Sequence, residues 1–255
     1  MRQVEREEVW SLAPGVFAAA RRQRAGQIDR DDRWWDRAFG RDGYAPRDGL
    51  PHNWFVHEGA DGPDGLLGWK ASGEFSLVPP LGSVEVWELV SASDLAYRNL
   101  WAYLIGIDAI DEVRLTNRPV DELVRWLLGD GRALVMTRQV DLLWLRLLDV
   151  PAALSARRYA APGELVLEVV DDDVHRFASG RYRLNANSDE VECERTDQKP
   201  DLEITQRALA SIYLGGFRLR GLLTSGVARE YAAGALAKLD LMFSVPLAPW
   251  NATWF

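Results

Sequence analysis

Three histidines, a single cysteine and a run of aspartates are the residues of this chain best equipped for chemistry. A zinc site needs three or four convergent ligands. His52 and His57 lie in a stretch with strand character, where an odd spacing sends side chains to opposite faces. No metal site is expected from them and His175. "VDDDVH" (Val170 to His175) concentrates carboxylates as calcium loops do, but it lacks the glycine and terminal glutamate of an EF-hand. It reads as a solvated turn. Cys193 alternates with Glu192 and Glu194 on the side of Val191, so it reads as a small buried hydrophobe and not a nucleophile. Being alone, it forms no intrachain disulfide. Neither a G-x-S-x-G elbow nor a phosphate-binding P-loop is present. "NAT" at Asn251 fits a glycosylation acceptor, but nothing here directs secretion and chance explains it.

Composition narrows the class further. The formal net charge is −8, with 47% hydrophobic and 27% charged residues, as in globular proteins with a sizeable core. Arg21, Arg22 and Arg24 form the densest basic cluster and read as a solvated helix face, so no nucleic-acid partner is expected. Apolar runs such as "ALAKLDLMF" are too short and too charged to span a bilayer, so no membrane partner is expected either. The first residues, "MRQVEREEVW", lack a signal peptide's apolar region, and a cytoplasmic location is expected. Eleven tryptophans are many for this length, and such rings mostly build cores and interfaces.

The elements that must position these residues fall into two halves. "EREEVWSLAPGVFAAARRQ" has helical spacing that Pro14 should interrupt, with a restart near Gly15. "HNWFVHEG", "GLLGWKASG" and "SVEVWELV" read as strands. "SASDLAYRNLWAYLIGID" reads as a helix capped by Ser93 or Asp94. "EVRLTN" is a short strand, "DELVRWLLG" a helix ended by Gly129, and "RALVMTRQ" and "DLLWLRLL" two further strands. In the second half "PAALSARRY" is a helix with Pro151 in its first turn. "GELVLEVVD", "GRYRLNAN" and "VECERTD" form an antiparallel meander, followed by "DLEIT" and by helical segments through "AREYAAGALAKLDLMF". The fold class is therefore α+β, a mixed sheet with helices followed by an antiparallel sheet covered by helices on one face, in domains 1–145 and 146–255.

Several of these stretches resemble the enhanced intracellular survival (Eis) family of bacterial GNAT N-acetyltransferases. They are "DLLWLRLLDVPAALSARRY" (Asp141 to Tyr159), "RAGQIDRDDRWW" with its Gly-x-x-x-Arg spacing, "YLGG" (Tyr213 to Gly216) and the closing "APWNATWF". The resemblance covers nearly the whole chain. It implies the family's second, GNAT-like domain and its sterol-carrier-like C-terminal domain, without the N-terminal catalytic GNAT domain that binds acetyl-CoA. "QRAGQI" (Gln23 to Ile28) is a near-match to the acyl-CoA loop, Gln/Arg-x-x-Gly-x-Gly/Ala. Ile28 breaks the pattern, though, and the segment follows a helix instead of opening one after a strand, so helix termination at Gly26 is the preferred reading. No cofactor is expected in this chain, with acetyl-CoA implied for the intact family enzyme.

The resemblance also gives the aromatic tail a role. In the family the terminal carboxylate sits in the catalytic pocket as base for the acceptor amine, which places it here on Phe255, with Trp254 lining the pocket. Burial beside aromatic rings raises a carboxyl pKa toward useful base strength. Trp34 or Trp35 is then a candidate aromatic wall for a cationic amine acceptor, and Asp141 a candidate source of negative charge. The implied partners are a missing or separate N-terminal GNAT domain and further copies of the chain in a homo-oligomer. Two readings compete. One is the acceptor-pocket and oligomerisation region of an Eis-type N-acetyltransferase, inactive alone. The other is a sterol-carrier-like module binding an apolar small molecule, which would need a continuous apolar tunnel in the second half.

Overall fold

A run of apolar residues bounded by glycines forms the middle of the first sheet because it has two helical layers to bury against. The computed structural model describes residues 1–43, 49–72, 82–170, 176–187 and 190–254. Its compact units are Met1–Val140 with Trp250–Phe255, and Asp141–Pro249, so the tail groups with the first unit although residues 146–255 were expected in one domain. In the first unit strands β1 (Arg2–Val4), β2 (Asn53–Gly59), β3 (Gly62–Ser72), β4 (Gly82–Ser91) and β5 (Ile110–Leu115) lie in the order β1-β2-β3-β4-β5. All neighbours are antiparallel except β4 and β5, which are parallel and need the crossover helix α3 (Asp94–Ile105).

Successive side chains of a strand alternate between faces, and here each face meets its own core. Leu66 and Val90 join Val9, Ala13, Val16 and Phe17 of α1 (Arg6–Ala20) and Trp35 of α2 (Asp32–Ala38). Their sequence neighbours Leu67 and Leu89 join Leu100, Trp101 and Leu104 of α3. A bulge resets the alternation within β4. Trp69 faces Val86 and Gly68 faces Glu88, which leaves Trp87 as the extra residue. Gly68 is required there, because a Cβ would stand 2.3 Å from the buried ring of Trp54.

The expected break at Pro14 does not occur, and α1 runs through it. A proline inside a helix costs roughly 3 kcal/mol, and burial of Val9, Ala13, Val16 and Phe17 offsets it. Instead of a helix from Asp121 to Gly129 there is a 3-10 turn at Leu123–Trp126. The two strands expected from Arg132 to Leu148 are also absent. That stretch has one 3-10 turn at Gly131–Ala133 and then neither helix nor strand.

In the second unit β6 (Glu164–Val170), β7 (Gly180–Asn185) and β8 (Glu192–Arg195) form the expected antiparallel meander. Strands β9 (Leu202–Thr205) and β10 (Ala228–Glu230) extend it to the order β10-β9-β6-β7-β8, with β6 and β9 parallel. β10 takes up the start of a segment expected to be helical, and α7 begins only at Ala235 (Ala235–Met242). One face of the sheet is charged, with Arg181 on Glu168 and Arg183 on Glu164. The other carries Leu165, Leu167, Leu184, Leu202 and Ile204 into a core with α4 (Val150–Ala156), α5 (Gln206–Tyr213), α6 (Leu219–Leu222) and α7. Within the YLGG stretch, Gly215 has φ +84°, and a Cβ there would meet Phe243 O at 2.7 Å. The fold is α+β with two mixed sheets, as expected from the sequence.

Candidate functional site

The tail is held in the first unit by the segment that follows α1. Trp250 N donates to Ala25 O at 3.0 Å, and Ala252 N donates to the Gln27 side chain at 3.0 Å. Asn251 is buried, and its Oδ1 accepts from Thr253 N at 3.1 Å and Ile28 N at 3.4 Å. Thr253 is buried too, and its hydroxyl donates to Ile28 O at 3.1 Å. Both polar side chains of the "NAT" acceptor pattern are therefore structural. A buried amide tied into such a turn is inaccessible for glycosylation in this fold.

Arg30 is the centre of this clamp. Its side chain is 1% exposed. Its Nε donates to Thr253 Oγ1 at 3.2 Å and its Nη2 to Ala252 O at 3.1 Å, and the guanidinium pairs with Glu88 at 3.2 Å. It also lies over the rings of Phe17 and Trp34, at 4.0 and 3.9 Å from their centroids. In sequence Arg30 shows only as the last residue of the Gly-x-x-x-Arg spacing, beside the more conspicuous tryptophans. Glu88 carries no sequence signal of its own, and the motifs that contain Gln27, Asn251 and Thr253 point to other roles.

Trp34 and Trp35 part company. Trp35 is buried and packs against Phe17, Trp34 and Phe39. Trp34 lines a cavity of about 1320 Å³ together with Trp87, Trp250 and Trp254. The cation over Trp34 is the chain's own Arg30, and the Trp34 indole N–H donates to Trp254 O at 2.7 Å. The aromatic surfaces exposed in the cavity are those of Trp87 and Trp254. Its lining holds Asp31, Asp36, Asp42, Glu85 and Glu88 against Arg33, Arg37, Lys70, Arg114 and Arg118, so the formal charges balance. Several are already paired with one another, as Lys70 is with Glu85 at 3.2 Å and Arg37 with Asp42 at 3.1 Å. Asp141 is exposed and belongs to the second unit, in the stretch without helix or strand. Phe255 lies outside the described residues, as does all of the "VDDDVH" turn after Val170.

A diphosphate would need free backbone N–H groups at a helix start. Two junctions in this unit offer a helix directly after a strand, β1 to α1 and β4 to α3, and the residues at the second do not suit an anion. Ser93 Oγ already accepts from Ala96 N at 3.0 Å, Asp94 stands in the first turn, and Ser93 donates to Asp64 at 2.5 Å. The first turns of α1 and α2 likewise carry Glu7 and Glu8, and Asp32. These carboxylates neutralise the positive helix ends. Asp64 also meets the buried His57 Nδ1 at 2.5 Å, while His57 Nε2 lies 2.8 Å from Asn99 Nδ2. Burial alone would raise the Asp64 carboxyl, but the hydrogen bonds from Ser93 and His57 outweigh it and hold the group below its ordinary value. A depressed carboxyl adds stability above its unfolded pKa of roughly 4, and that stability fades as pH falls through the folded value. Asp64→Asn should therefore be less stable at pH 7 but lose less of its remaining stability between pH 4 and pH 2. Urea midpoints across that range check it, and parallel declines would contradict it.

Cys193 sits in β8 facing the core, and burial pushes its thiol up to about 12, which keeps it protonated and unreactive. Among the described residues no cluster of metal-ligating side chains occurs and no helix is long and apolar enough to cross a membrane. His52 is exposed on a bend, apart from the strand that holds His57.

A mixed sheet with one parallel pair bridged by a helix, followed by a second sheet covered on one face, defines a two-domain α+β protein whose domains are both of known kinds. Residues 26–147 match the family described as Acetyltransferase (GNAT) domain, and residues 150–252 match the Sterol carrier protein domain. An uncharacterized N-acetyltransferase of Streptomyces griseus is 37% identical over 254 residues, 97% of this chain and 60% of that protein. N-acetyltransferase Eis of Mycobacterium tuberculosis is 36% identical over 162 residues, covering 62% of this chain and 38% of its own. The crystal structure of Eis1 from Mycobacterium abscessus superposes with a TM-score of 0.84 at 27% identity, covering 100% of this chain and 62% of that one. The chain thus carries a GNAT acetyltransferase domain followed by a sterol carrier protein domain, and its homologues and structural neighbours are Eis-like. It spans about three fifths of the length of the Streptomyces griseus relative.

The sterol-carrier-like domain buries large side chains against its sheet. Tyr182, Leu154, Leu165, Leu167, Leu184 and Phe243 are among its fully buried side chains. We expect no apolar ligand to co-purify with the protein. Mass spectrometry of a solvent extract tests this, and lipid at near-stoichiometric amounts would contradict it.

Proposed function

We propose that this chain is the acceptor-pocket and oligomerisation region of an Eis-type N-acetyltransferase acting on amine acceptors. In this reading acetyl-CoA is held by a catalytic GNAT domain of the kind the longer relatives have room for, and the chain alone is inactive. The observation that carries the proposal is the clamped tail: Arg30, Thr253 and Asn251 fix the C-terminal residues beside an aromatic cavity. That is where a terminal carboxylate on Phe255 would be needed as base. The carboxylates and side-chain cap at the start of α3 support the absence of acetyl-CoA binding from this domain. Because the cavity's charges balance, selectivity for a cationic acceptor falls to the faces of Trp87 and Trp254 and to the terminal carboxylate. Each aromatic contact to a cation contributes on the order of 0.5–2 kcal/mol. Asp141 keeps its proposed role only as an exposed contributor of negative charge.

The proposal is tested by joining the catalytic domain of a relative to this chain and following acetyl transfer to a polyamine. Adding one residue after Phe255 moves the carboxylate by about 3.5 Å. The joined protein should then lose most of its turnover while its melting temperature is unchanged. Equal turnover with and without the added residue would exclude the carboxylate role.

A further inference from the structure

A second arginine reaches the tail, from the turn after β5. The parallel pairing of β4 and β5 runs from Gly82 and Ile110 to Val86 and Leu115, and β4 continues to Ser91 after that pairing ends. Trp250 stands at this fork, where it lines the cavity together with Leu89, Asn117 and Arg118. Asn117 has φ +52°, in the left-handed region that asparagine tolerates. Its Oδ1 accepts from the Trp250 indole N–H at 3.2 Å. The Arg118 guanidinium lies 5.1 Å from the centroid of the Trp250 ring, and its Nη1 donates to Leu89 O at 3.0 Å. Behind Arg118 is Glu122. Its Oε2 accepts from Arg118 Nε at 2.6 Å, and its Oε1 accepts from the Tyr97 hydroxyl of α3 and from Leu123 N at 3.1 Å. The side chains of Arg118 and Glu122 are 17% and 9% exposed. Burial and the Glu122 carboxylate push the Tyr97 phenol up, so it remains a donor at neutral pH.

A buried ion pair is a poor source of stability, because desolvating both charges cancels most of their attraction. What it fixes is geometry. Arg118 is constrained by a carboxylate, a carbonyl and a ring, and the carboxylate is itself tied to α3 through Tyr97. We infer that Arg118 is a positioning residue for the tail: held by Glu122 and Tyr97, it seats Trp250 in the fork between β4 and β5 and so fixes the direction in which the chain end runs. Arg30 grips residues 252 and 253 from the segment before α2, and Asn117 and Arg118 grip residue 250 from the turn after β5. With two separate grips the tail cannot pivot about either one. The inference rests on the proposed role of the terminal carboxylate, whose position such anchoring would set.

The test uses Arg118→Met combined with Glu122→Gln, which removes both charges together and leaves no buried ion unpaired. In the chain alone, amide exchange at Trp250 and Ala252 should quicken about tenfold while exchange in β3 stays unchanged. In the protein joined to a relative's catalytic domain, the double variant should lower kcat about tenfold and leave the acceptor KM within about threefold, because the tail is misplaced and the cavity is not. Arg118→Lys keeps a cation beside Trp250 and should lose less kcat than the double variant does. Unchanged tail exchange in the double variant overturns the inference and leaves the proposed function standing. So does a loosened tail with unchanged kcat in a joined protein that the added residue after Phe255 inactivates, since Arg118 would then be structural only. If that added residue does not alter turnover, the carboxylate role fails and this inference fails with it.

Discussion

Arg30→Ala is expected to destabilise the first unit by about 3–5 kcal/mol, the usual cost of removing one partner from a buried ion pair. The substitution leaves Glu88, only 16% exposed, without its cation. It also strands Ala252 O and Thr253 Oγ1 and opens a space between Phe17 and Trp34. For a domain of this size such a loss lowers the melting temperature by roughly 10 °C. Because the same guanidinium holds the tail, residues 250–254 should become open to carboxypeptidase under conditions in which the parent protein is resistant. Arg30→Lys keeps the charge but not the planar fork that reaches three partners while lying between two rings, so it should recover only part of the loss. A melting temperature for Arg30→Ala within 2 °C or so of the parent, less than a single kcal/mol would produce, would show that the clamp is not what stabilises this unit.

Gly68→Ala should also destabilise the first unit, less strongly and by a different route. An added Cβ would stand 2.3 Å from Trp54 Cζ3 and 2.6 Å from Cη2, closer than carbon atoms approach. Trp54 is buried and packs against Phe39 at 5.0 Å between centroids, so it has little room to yield. Overpacking of this kind costs about 1–3 kcal/mol, more where the neighbour is rigid. The pair makes a sharper claim. Trp54→Phe removes the atoms in conflict, so alanine at position 68 should cost much less in that background, with a coupling of at least about 1 kcal/mol. Additive effects in denaturant titrations would mean that the bulge, and not Trp54, sets the requirement for glycine.

Where sequence and structure agree, the local signal and the tertiary environment point the same way. Helix α3 has Ser93 as its cap and an apolar face that finds the sheet, and the meander β6-β7-β8 alternates charge with hydrophobe along each strand. Where they differ, the deciding partner lies elsewhere. Pro14 reads as a helix breaker because its cost is local, whereas the compensating burial of Val16 and Phe17 is not. Residues 132–148 read as two strands because their composition suits a sheet, but a strand requires an edge to pair with, and the first sheet closes its order at β5.

The site was partly legible in the same way. Trp34 and Trp254 stood out as aromatics and do line one cavity, whereas Trp35, identical in type and adjacent, points into the core. Nothing in residue type separates the two. The helical turn of α2 that holds them does. Arg30 was harder to find because a buried arginine looks like any surface arginine until its partners are known, and four of them are contributed from positions 34, 88, 252 and 253. The "NAT" pattern shows the converse, a motif with a familiar external meaning whose Asn251 and Thr253 are consumed in internal hydrogen bonds.

The most direct measurement is an isothermal titration of the purified chain with acetyl-CoA. The first turns of α1, α2 and α3 bear carboxylates where a diphosphate would need bare N–H groups. The expected result is no saturable heat up to millimolar ligand. A dissociation constant in the micromolar range would contradict the assignment of this chain to the acceptor side of the enzyme.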